Sequence, residues 1–345
     1  MQKCIALFLW PISRNMQLLA DLLKDKYYTV SYRNFCRGLR ANDKFIQQEV
    51  QTVREQIKTR NVVFTDWEHH RVMRYDPAYN FIGFKNILGE YFDTKKWAVS
   101  VPTFGNNDFG ERQISNLDFL IYVNGFNKEF NAGKIDHSNK SKEFLFLPGK
   151  PHPFRVYLLK ELLANDLLSH SIWSASNDFS WHTLQKTLSE EYEVPEWRNK
   201  KVNGSHSTTR QVHFPMYNDS VCSIVSETMI DNDCHYITEK TCKPIMAEHL
   251  FVTLSGMGFL KNLRDLGFKT FHEHVDESYD ECPNLTDRVN GIVKTCNDIR
   301  SMNVDKLYRD TKEIRKHNRE LFFEEKYYAN FNQSQASLLA TYFQS

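Results

Sequence analysis

Short apolar runs alternate with longer amphipathic stretches through the first part of the chain. Apolar runs bounded by polar residues predict buried strands, and leucine or valine at spacings of three and four predicts helices. Strand-like runs lie at residues 3–10, 27–32, 61–65, 97–101 and 118–123. Helical spacing is found at residues 15–24 and 42–59. This order predicts an α/β domain over residues 1–140.

The pattern starts again after a polar stretch at residues 125–142, which is typical of a linker between domains. A strand is predicted at 144–147, a leucine-rich helix at 154–168 with Pro153 in its first position, and a short strand at 172–174. We expect a second α/β domain over residues 141–320. A helical segment follows at 321–345.

The most informative stretch spans residues 223–271. A buried strand ends before Glu227, and a polar loop leads to a helix with Thr238 as its N-cap. A strand at 250–254, a helix at 259–266 ended by Gly267, and a third strand at 268–271 complete the series. Strand, helix and strand in this order predict a parallel α/β unit.

Polar residues collect where these strands are expected to end. In parallel sheets, ligands bind at the carboxyl ends of strands, beside helix N-termini. Lys240 lies in the first turn of its predicted helix and Arg155 in the first turn of another, where a cation opposes the helix dipole unless an anion is bound. An ordinary cap with solvated first-turn residues is the alternative. The candidate ligand-binding residues are Arg155, Glu227, Thr228, Tyr236, Glu239, Lys240 and Lys243.

Composition narrows the class of protein only slightly. The chain has 345 residues, 41% of them hydrophobic and 25% charged, which is typical of a globular protein of two domains. The net charge of +1 does not call for a nucleic acid or an anionic membrane surface as partner. Aromatic residues make up 14% of the chain, and aromatic surfaces often hold sugar rings.

The cysteines and the first apolar run bear on location. Seven cysteines are scattered without a Cys-x-x-Cys pair, which favours reduced thiols in a cytosol. The apolar run at residues 4–10 is too short for a membrane span and is interpreted as a strand. We therefore expect action in a cytoplasm, or in a location that a host supplies.

Two histidine pairs suggest a metal but lack further ligands at a recognisable spacing. They are His69-His70, near Asp66 and Glu68, and His272 with His274. We expect neither to form a metal site, and we expect no cofactor. The residues Asp66 and Glu68 follow a predicted strand, where loops carry chemistry, and are our candidates for a catalytic base, with Glu90 and Glu111 as further candidates.

The central motif resembles that of a known enzyme family. Val225-Ser-Glu-Thr228 followed by Tyr236-Ile-Thr-Glu-Lys240 is similar to the donor-binding signature of α1,3-fucosyltransferases, Phe-Glu-Asn-Ser and then Tyr-Val/Ile-Thr-Glu-Lys. It departs from that signature at Thr228, where the family has Asn. The continuation to Phe271 also resembles glycosyltransferases of phages and large viruses. The resemblance covers residues 221–271 well and is faint before residue 140.

The resemblance implies two Rossmann-like domains of GT-B type with a cleft between them, and a C-terminal helix at 321–345 that packs back on the N-terminal domain. It implies an inverting, metal-independent glycosyltransferase that uses a nucleoside-diphosphate sugar such as GDP-fucose and a glycan or other hydroxyl acceptor. Arg155 and Lys240 would hold the diphosphate, with Lys243 beside them, and Glu239 the ribose or sugar hydroxyls. Tyr236 would contact the base or ribose, and Glu227 would contact the donor sugar or fix the loop.

Two other functions fit the same residues. A DNA glycosyltransferase of the phage type shares the two-domain design and would use nucleic acid as its acceptor. A non-catalytic module that binds nucleotides or carbohydrates would keep the donor site and transfer nothing.

Overall fold

A computed structural model gives the architecture of most of the chain. It describes residues 19–24, 26–31, 44–65, 96–101, 104, 113–117, 120, 121, 123, 124, 135–148, 152–173, 212, 214–230, 232 and 235–344. Two compact units are present, one formed by Met1–Gly125 with Glu324–Ser345 and the other by Phe126–Phe323. Each contains one parallel sheet, so the mixed α/β fold with parallel sheets is confirmed.

The first unit is built on a four-stranded parallel sheet in sequential order. Its strands are β1 (Tyr28–Ser31), β2 (Val62–Thr65), β3 (Trp97–Val101) and β4 (Gln113–Ser115). Helices α1 (Leu19–Leu23) and α2 (Lys44–Thr59) precede β1 and β2. The C-terminal helix, which we call α10 (Glu325–Gln344), belongs to this unit.

Helix α10 packs on the first sheet through both apolar and polar contacts. Leu339 is fully buried in a cluster with Leu19, Leu23 and Val63. Gln335 uses its side-chain oxygen to accept a hydrogen bond from the backbone N–H of Ser115, 3.1 Å away. Since β4 is an edge strand among those described, this contact satisfies a backbone donor that lacks a neighbouring strand.

The second unit has a four-stranded parallel sheet with a central crossover. The strands are β5 (Lys142–Phe146), β6 (Ile172–Trp173), β7 (Ser220–Ser226) and β8 (Leu250–Leu254), in the order β6-β5-β7-β8. Every residue of β7 and β8 is buried. Continuous burial is expected of a parallel strand covered on both faces, and it explains the unbroken apolar runs in the sequence.

Helices surround this second sheet. They are α3 (Pro153–Ala164), α4 (Phe214–Asp219), α5 (Glu239–Met246), α6 (Phe259–Asp265), α7 (Leu285–Ser301), α8 (Val304–Asp310) and α9 (Lys312–Phe323). The predicted stop at Gly267 is confirmed, because this residue has a φ of 91° and closes α6 with a hydrogen bond from Phe268 N–H to Leu263 O of 3.1 Å.

Two predicted strands are wrong. Residues 120, 121, 123 and 124 are helical, and the N–H of Ile121 donates to Leu117 O at 2.9 Å. The buried residues Leu117, Leu120 and Ile121 are spaced by three and four, so the helical period prevailed over the apolar run. The predicted strand at 268–271 is an extended segment whose backbone is bound by side chains.

Those side chains explain why no strand forms there. Asn318 on α9 accepts from Lys269 N–H at 2.7 Å and donates to Lys269 O at 2.8 Å. Glu277 accepts from Phe271 N–H at 2.6 Å. Because the backbone groups are satisfied in this way, the segment does not require a neighbouring strand.

A close approach at Gly291 fixes the position of Tyr279. A Cβ atom added to Gly291 on α7 would lie 2.7 Å from Tyr279 Cβ and 3.3 Å from its Cα. The Tyr279 side chain is buried, and its hydroxyl accepts a hydrogen bond from the backbone N–H of Thr253 on β8, 3.2 Å away. Glycine is therefore required at 291 for this contact to form.

We predict that Gly291→Ala destabilises the protein although alanine is the better helix former. The methyl group would displace Tyr279, and overpacking of this kind costs about 1–3 kcal/mol. Asn297→Ala is the matched control, because Asn297 is exposed on the same helix and alanine there adds only helix propensity. Urea unfolding of both variants is the measurement, and equal stability of the Gly291 variant and the wild type would contradict the steric argument.

Candidate functional site

The carboxyl end of β7 lies at the N-termini of two helices. Glu227 directly follows the strand, and its N–H donates to Leu254 O of β8 at 2.9 Å. Its backbone oxygen accepts from Nη2 of Arg155, in the first turn of α3, at 2.9 Å. Its side chain reaches the first turn of α5. One residue therefore joins the strand to both helices.

The Glu227 carboxylate is fully buried and accepts four hydrogen bonds. The donors are Thr238 N–H at 3.1 Å, Thr238 Oγ1 at 2.5 Å, Thr241 Oγ1 at 2.6 Å and Thr228 N–H at 3.2 Å. A buried carboxylate is tolerated when its oxygens are satisfied in this way. Of the two roles expected for Glu227, this geometry corresponds to fixing the loop.

Thr238 caps α5 and also donates hydrogen bonds to the Glu227 carboxylate. Its backbone is extended, with φ −110° and ψ −179°, and its side-chain oxygen accepts from Lys240 N–H at 3.3 Å. The predicted N-cap is confirmed. The pair Thr238 and Thr241 lies three residues apart on one side of the helix start, so both hydroxyls point to the same carboxylate.

Thr241 was not predicted, although the sequence contained a signal for it. The spacing Thr-x-x-Thr, next to a buried strand that ends in Glu, places two hydroxyl donors beside one acceptor.

Lys240 is the centre of a polar group at the open side of the same turn. Its Nζ donates to Glu239 Oε1 at 2.8 Å, Thr228 Oγ1 at 3.1 Å and Thr238 Oγ1 at 3.2 Å. The side chains of Lys240 and Glu239 keep 20% and 17% of their exposure. Burial acts to raise the pKa of Glu239, but the nearby Lys240 and Lys243 outweigh it, so that the pKa is lowered. Glu239 is therefore a carboxylate at neutral pH.

Lys243 lies one turn further along α5. Burial, the main cause, lowers the pKa of its amine to about 8, with Lys240 adding repulsion and Glu239 opposing it. Lys240 and Lys243 line a cavity of about 60 Å³ at the ends of β5 and β7. The other lining residues are Leu145, Leu147, Tyr217, Ser223, Ile224, Val225, Ser226 and Pro244.

Two residues of the predicted site are more buried than a ligand contact requires. Arg155 is 2% exposed, with its guanidinium carbon 5.4 Å from the ring centre of Phe154. Tyr236, expected at the base or ribose, is 1% exposed and lies in the core. Arg155 therefore contacts the site through its hydrogen bond to the backbone oxygen of Glu227. Lys240 and Glu239 form the partly exposed part of the site.

A further arginine holds the neighbouring loops in place. Arg288 on α7 is 3% exposed and donates to backbone oxygens of Ser255 and, at 3.4 Å, Ile230, and to Asn232 Oδ1 at 2.7 Å. These loops follow β8 and β7. A cation surrounded by neutral oxygens in this way anchors the loops at the carboxyl edge of the sheet.

The candidate bases Asp66 and Glu68, and the histidines beside them, lie outside the described residues. Within the described part of the chain, no three His, Cys, Asp or Glu side chains are grouped so that they could hold a metal ion. In the same part, no helix has the length and apolar character needed to cross a membrane.

Comparison with known proteins gives little further information. No protein-family profile matches the chain, and no curated protein matches it either. A solved structure of a glycosyltransferase from Rickettsia africae is similar with a TM-score of 0.39 and 10% sequence identity, over 89% of this chain and 84% of that one.

We predict that Glu227→Gln is strongly destabilising. The amide keeps the shape but places an NH₂ group against donors, so at least one buried N–H or O–H loses its acceptor, at about 1–3 kcal/mol for each. Glu281→Gln, at an exposed carboxylate, is the control. Thermal unfolding of both variants tests this, and a melting temperature of the Glu227 variant equal to that of the control would show that the four contacts contribute little.

Proposed function

We propose that this protein is a glycosyltransferase that moves a sugar from a nucleoside-diphosphate sugar to a hydroxyl acceptor. The observation that carries the proposal is the arrangement at the end of β7, where Lys240 and Glu239 stand partly exposed on a helix N-terminus that Glu227 holds in place. The resemblance of this same motif to the donor site of α1,3-fucosyltransferases supports it.

The chemistry of the site suits such a donor. A helix N-terminus and a lysine together favour a phosphate group, and Lys243 adds a second amine beside the same cavity. A carboxylate such as Glu239 accepts two hydrogen bonds and so suits vicinal hydroxyls. In the free protein Lys240 is paired with Glu239, and a bound diphosphate would share this lysine.

The reaction requires charge stabilisation for the leaving diphosphate and a base for the acceptor hydroxyl. Lys240, Lys243 and the buried Arg155 would provide positive charge around the diphosphate. Asp66 and Glu68, directly after β2, remain our candidates for the base. Inversion at the transferred carbon, GDP-fucose as the donor and the GT-B arrangement are parts of the proposal.

A ligand screen followed by a transfer assay tests the function. A nucleotide that binds only the folded protein raises its melting temperature, so GDP, UDP, ADP, CMP and dTDP are compared, and sugars of the best nucleotide are then offered with glycans and with duplex DNA. Transfer to a glycan supports the proposal. Transfer to DNA supports the phage-type alternative, and binding without transfer supports a non-catalytic module. If no nucleotide binds, the proposed function is overturned.

We predict that Lys240→Ala weakens binding of the best nucleoside diphosphate by about 1.5–3 kcal/mol, the usual value of a hydrogen bond to a charged group. Lys261→Ala is the control, because Lys261 is exposed and its ammonium group, among the described residues, pairs with Asp265 alone, at 2.6 Å. Titration calorimetry measures both, and equal affinity of the two variants removes Lys240 from the site.

We predict that nucleotide binding takes up protons above pH 8. The free amine of Lys243 has a pKa of about 8, and a bound phosphate would raise it, so the free state holds fewer protons than the bound state. At pH 8.5, where the terminal phosphate of the nucleotide has already lost its second proton, the uptake should be roughly half a proton or more. Calorimetry in two buffers of different ionisation enthalpy measures the uptake, and Lys243→Met should abolish it while Lys261→Met should not.

A further inference from the structure

The helix that carries the candidate site is also held at its other end. Nη1 of Arg315 on α9 donates to Glu248 O at 2.9 Å, and Nε of Arg319 donates to Met246 O at 3.1 Å. These oxygens lie at the C-terminal end of α5. Cations are favourable there because of the helix dipole and the unpaired carbonyls. Helix α5 is thus fixed by Glu227 at one end and by arginines at the other.

Arg315 is itself placed by an aromatic ring. It is 5% exposed, and its guanidinium carbon lies 4.4 Å from the ring centre of Tyr308, whose backbone oxygen accepts from Nη2 at 2.6 Å. The ammonium of Lys140 lies 4.6 Å from the same ring centre. The Tyr308 hydroxyl donates to Val221 O on β7 at 2.6 Å. Two basic side chains therefore share one buried ring.

Two neutral histidines complete this group, which we call the Tyr308 cluster: His137, Lys140, His249, Tyr308 and Arg315. Lys140 donates to Nδ1 of His137 at 3.0 Å and to Tyr217 O at 2.9 Å. His249 accepts from Ser223 Oγ through Nδ1 at 2.9 Å and donates through Nε2 to Ser220 O at 2.8 Å. Each imidazole uses one nitrogen as an acceptor, which only the neutral form allows.

The carboxylates near the cluster are engaged elsewhere. Asp136 accepts from Ser138, Asp219 accepts from Ser141 N–H, and Glu248 faces Arg319 at 3.6 Å. Among the described residues, none of them lies within ion-pairing distance of Lys140 or Arg315. The hydroxyls of Tyr217 and Tyr308 stay neutral, since burial raises the pKa of each. A positive charge added here would meet two cations and no paired anion.

The titration of the cluster follows from this environment. Burial, with repulsion from Lys140 and Arg315, lowers the pKa of His137 to about 3, and burial lowers that of His249 well below its usual value. Burial and Arg315 lower the pKa of Lys140 to about 7. The unfolded chain titrates its histidines near 6.5. The histidine contribution to stability is complete above that pH and is lost as the pH falls below it.

We propose that Arg315 is a positioning residue for the α5 site, and that the histidines of the Tyr308 cluster make its hold on α5 sensitive to protons. Protonation of His137 removes the acceptor of Lys140 and places a third cation beside the ring. The charged imidazole, whose ring centre lies 5.1 Å from that of Tyr308, repels Arg315 on the same ring and weakens its hold on the end of α5. The inference rests on the proposed function only in taking the N-terminus of α5 as the ligand site.

Hydrogen exchange of the α5 backbone amides in the full chain tests the positioning role without a ligand. At pH 7.5, Arg315→Met should raise the exchange rates of these amides tenfold or more, and Arg315→Lys should restore part of the protection. Arg300→Met is the matched control. Arg300 lies on α7, and it also donates to a backbone oxygen, that of Asp166 at 2.6 Å. Unchanged α5 exchange in Arg315→Met overturns the positioning role.

The proton sensitivity has its own variant. In the wild type, α5 exchange corrected for the intrinsic pH effect should rise about fivefold between pH 6.5 and 5.5 for each histidine that becomes charged on opening. His137→Gln keeps an acceptor for Lys140 at every pH and should reduce this rise about fivefold, whereas His170→Gln, at an exposed histidine, should not. An equal rise in the wild type and His137→Gln overturns the proton sensitivity. Failure to bind any nucleotide would contradict the proposed function and leave both readouts intact.

Discussion

The second unit depends on one buried carboxylate. Glu227 directly follows a strand that is buried along its whole length, and its side chain is shielded from bulk solvent. The free-energy cost of such burial is offset only because two threonines and two backbone N–H groups converge on it. The donors belong to α5 and the loop before it, so the need to satisfy the carboxylate determines where α5 begins. The positions of Glu239 and Lys240 follow from that.

Both cations at this edge of the sheet oppose the dipoles of their helices. Arg155 and Lys240 each lie in a first turn, where an acidic residue would be more stable. The chain compensates in part, through the Glu227 carbonyl for Arg155 and through Glu239 for Lys240. Proteins tolerate local costs of this kind mainly at functional sites. Two helices at this edge of the sheet therefore carry the same local cost in their first turns.

The sequence predicted the helices and strands of this region better than it predicted how far individual side chains are buried. Fully apolar runs determined β7 and β8, and the threonine N-cap determined the start of α5, because local chemistry sets such features. Tyr236 and Arg155 were expected at a ligand, yet they are almost fully buried. Burial depends on which helices cover the strand, and no local pattern contains that information. The segment at 268–271 shows the same limit, since the residue that binds its backbone, Asn318, comes about fifty positions later.

The contact between Gly291 and Tyr279 has a consequence for behaviour in solution. Strand β8 is at the edge of its sheet among the described strands, and an edge strand with free N–H groups can pair with another chain. The Tyr279 hydroxyl accepts a hydrogen bond from the backbone N–H of Thr253 in β8, so this N–H is not available to another chain. The absence of one side chain on a helix thus protects the protein against aggregation through its sheet edge.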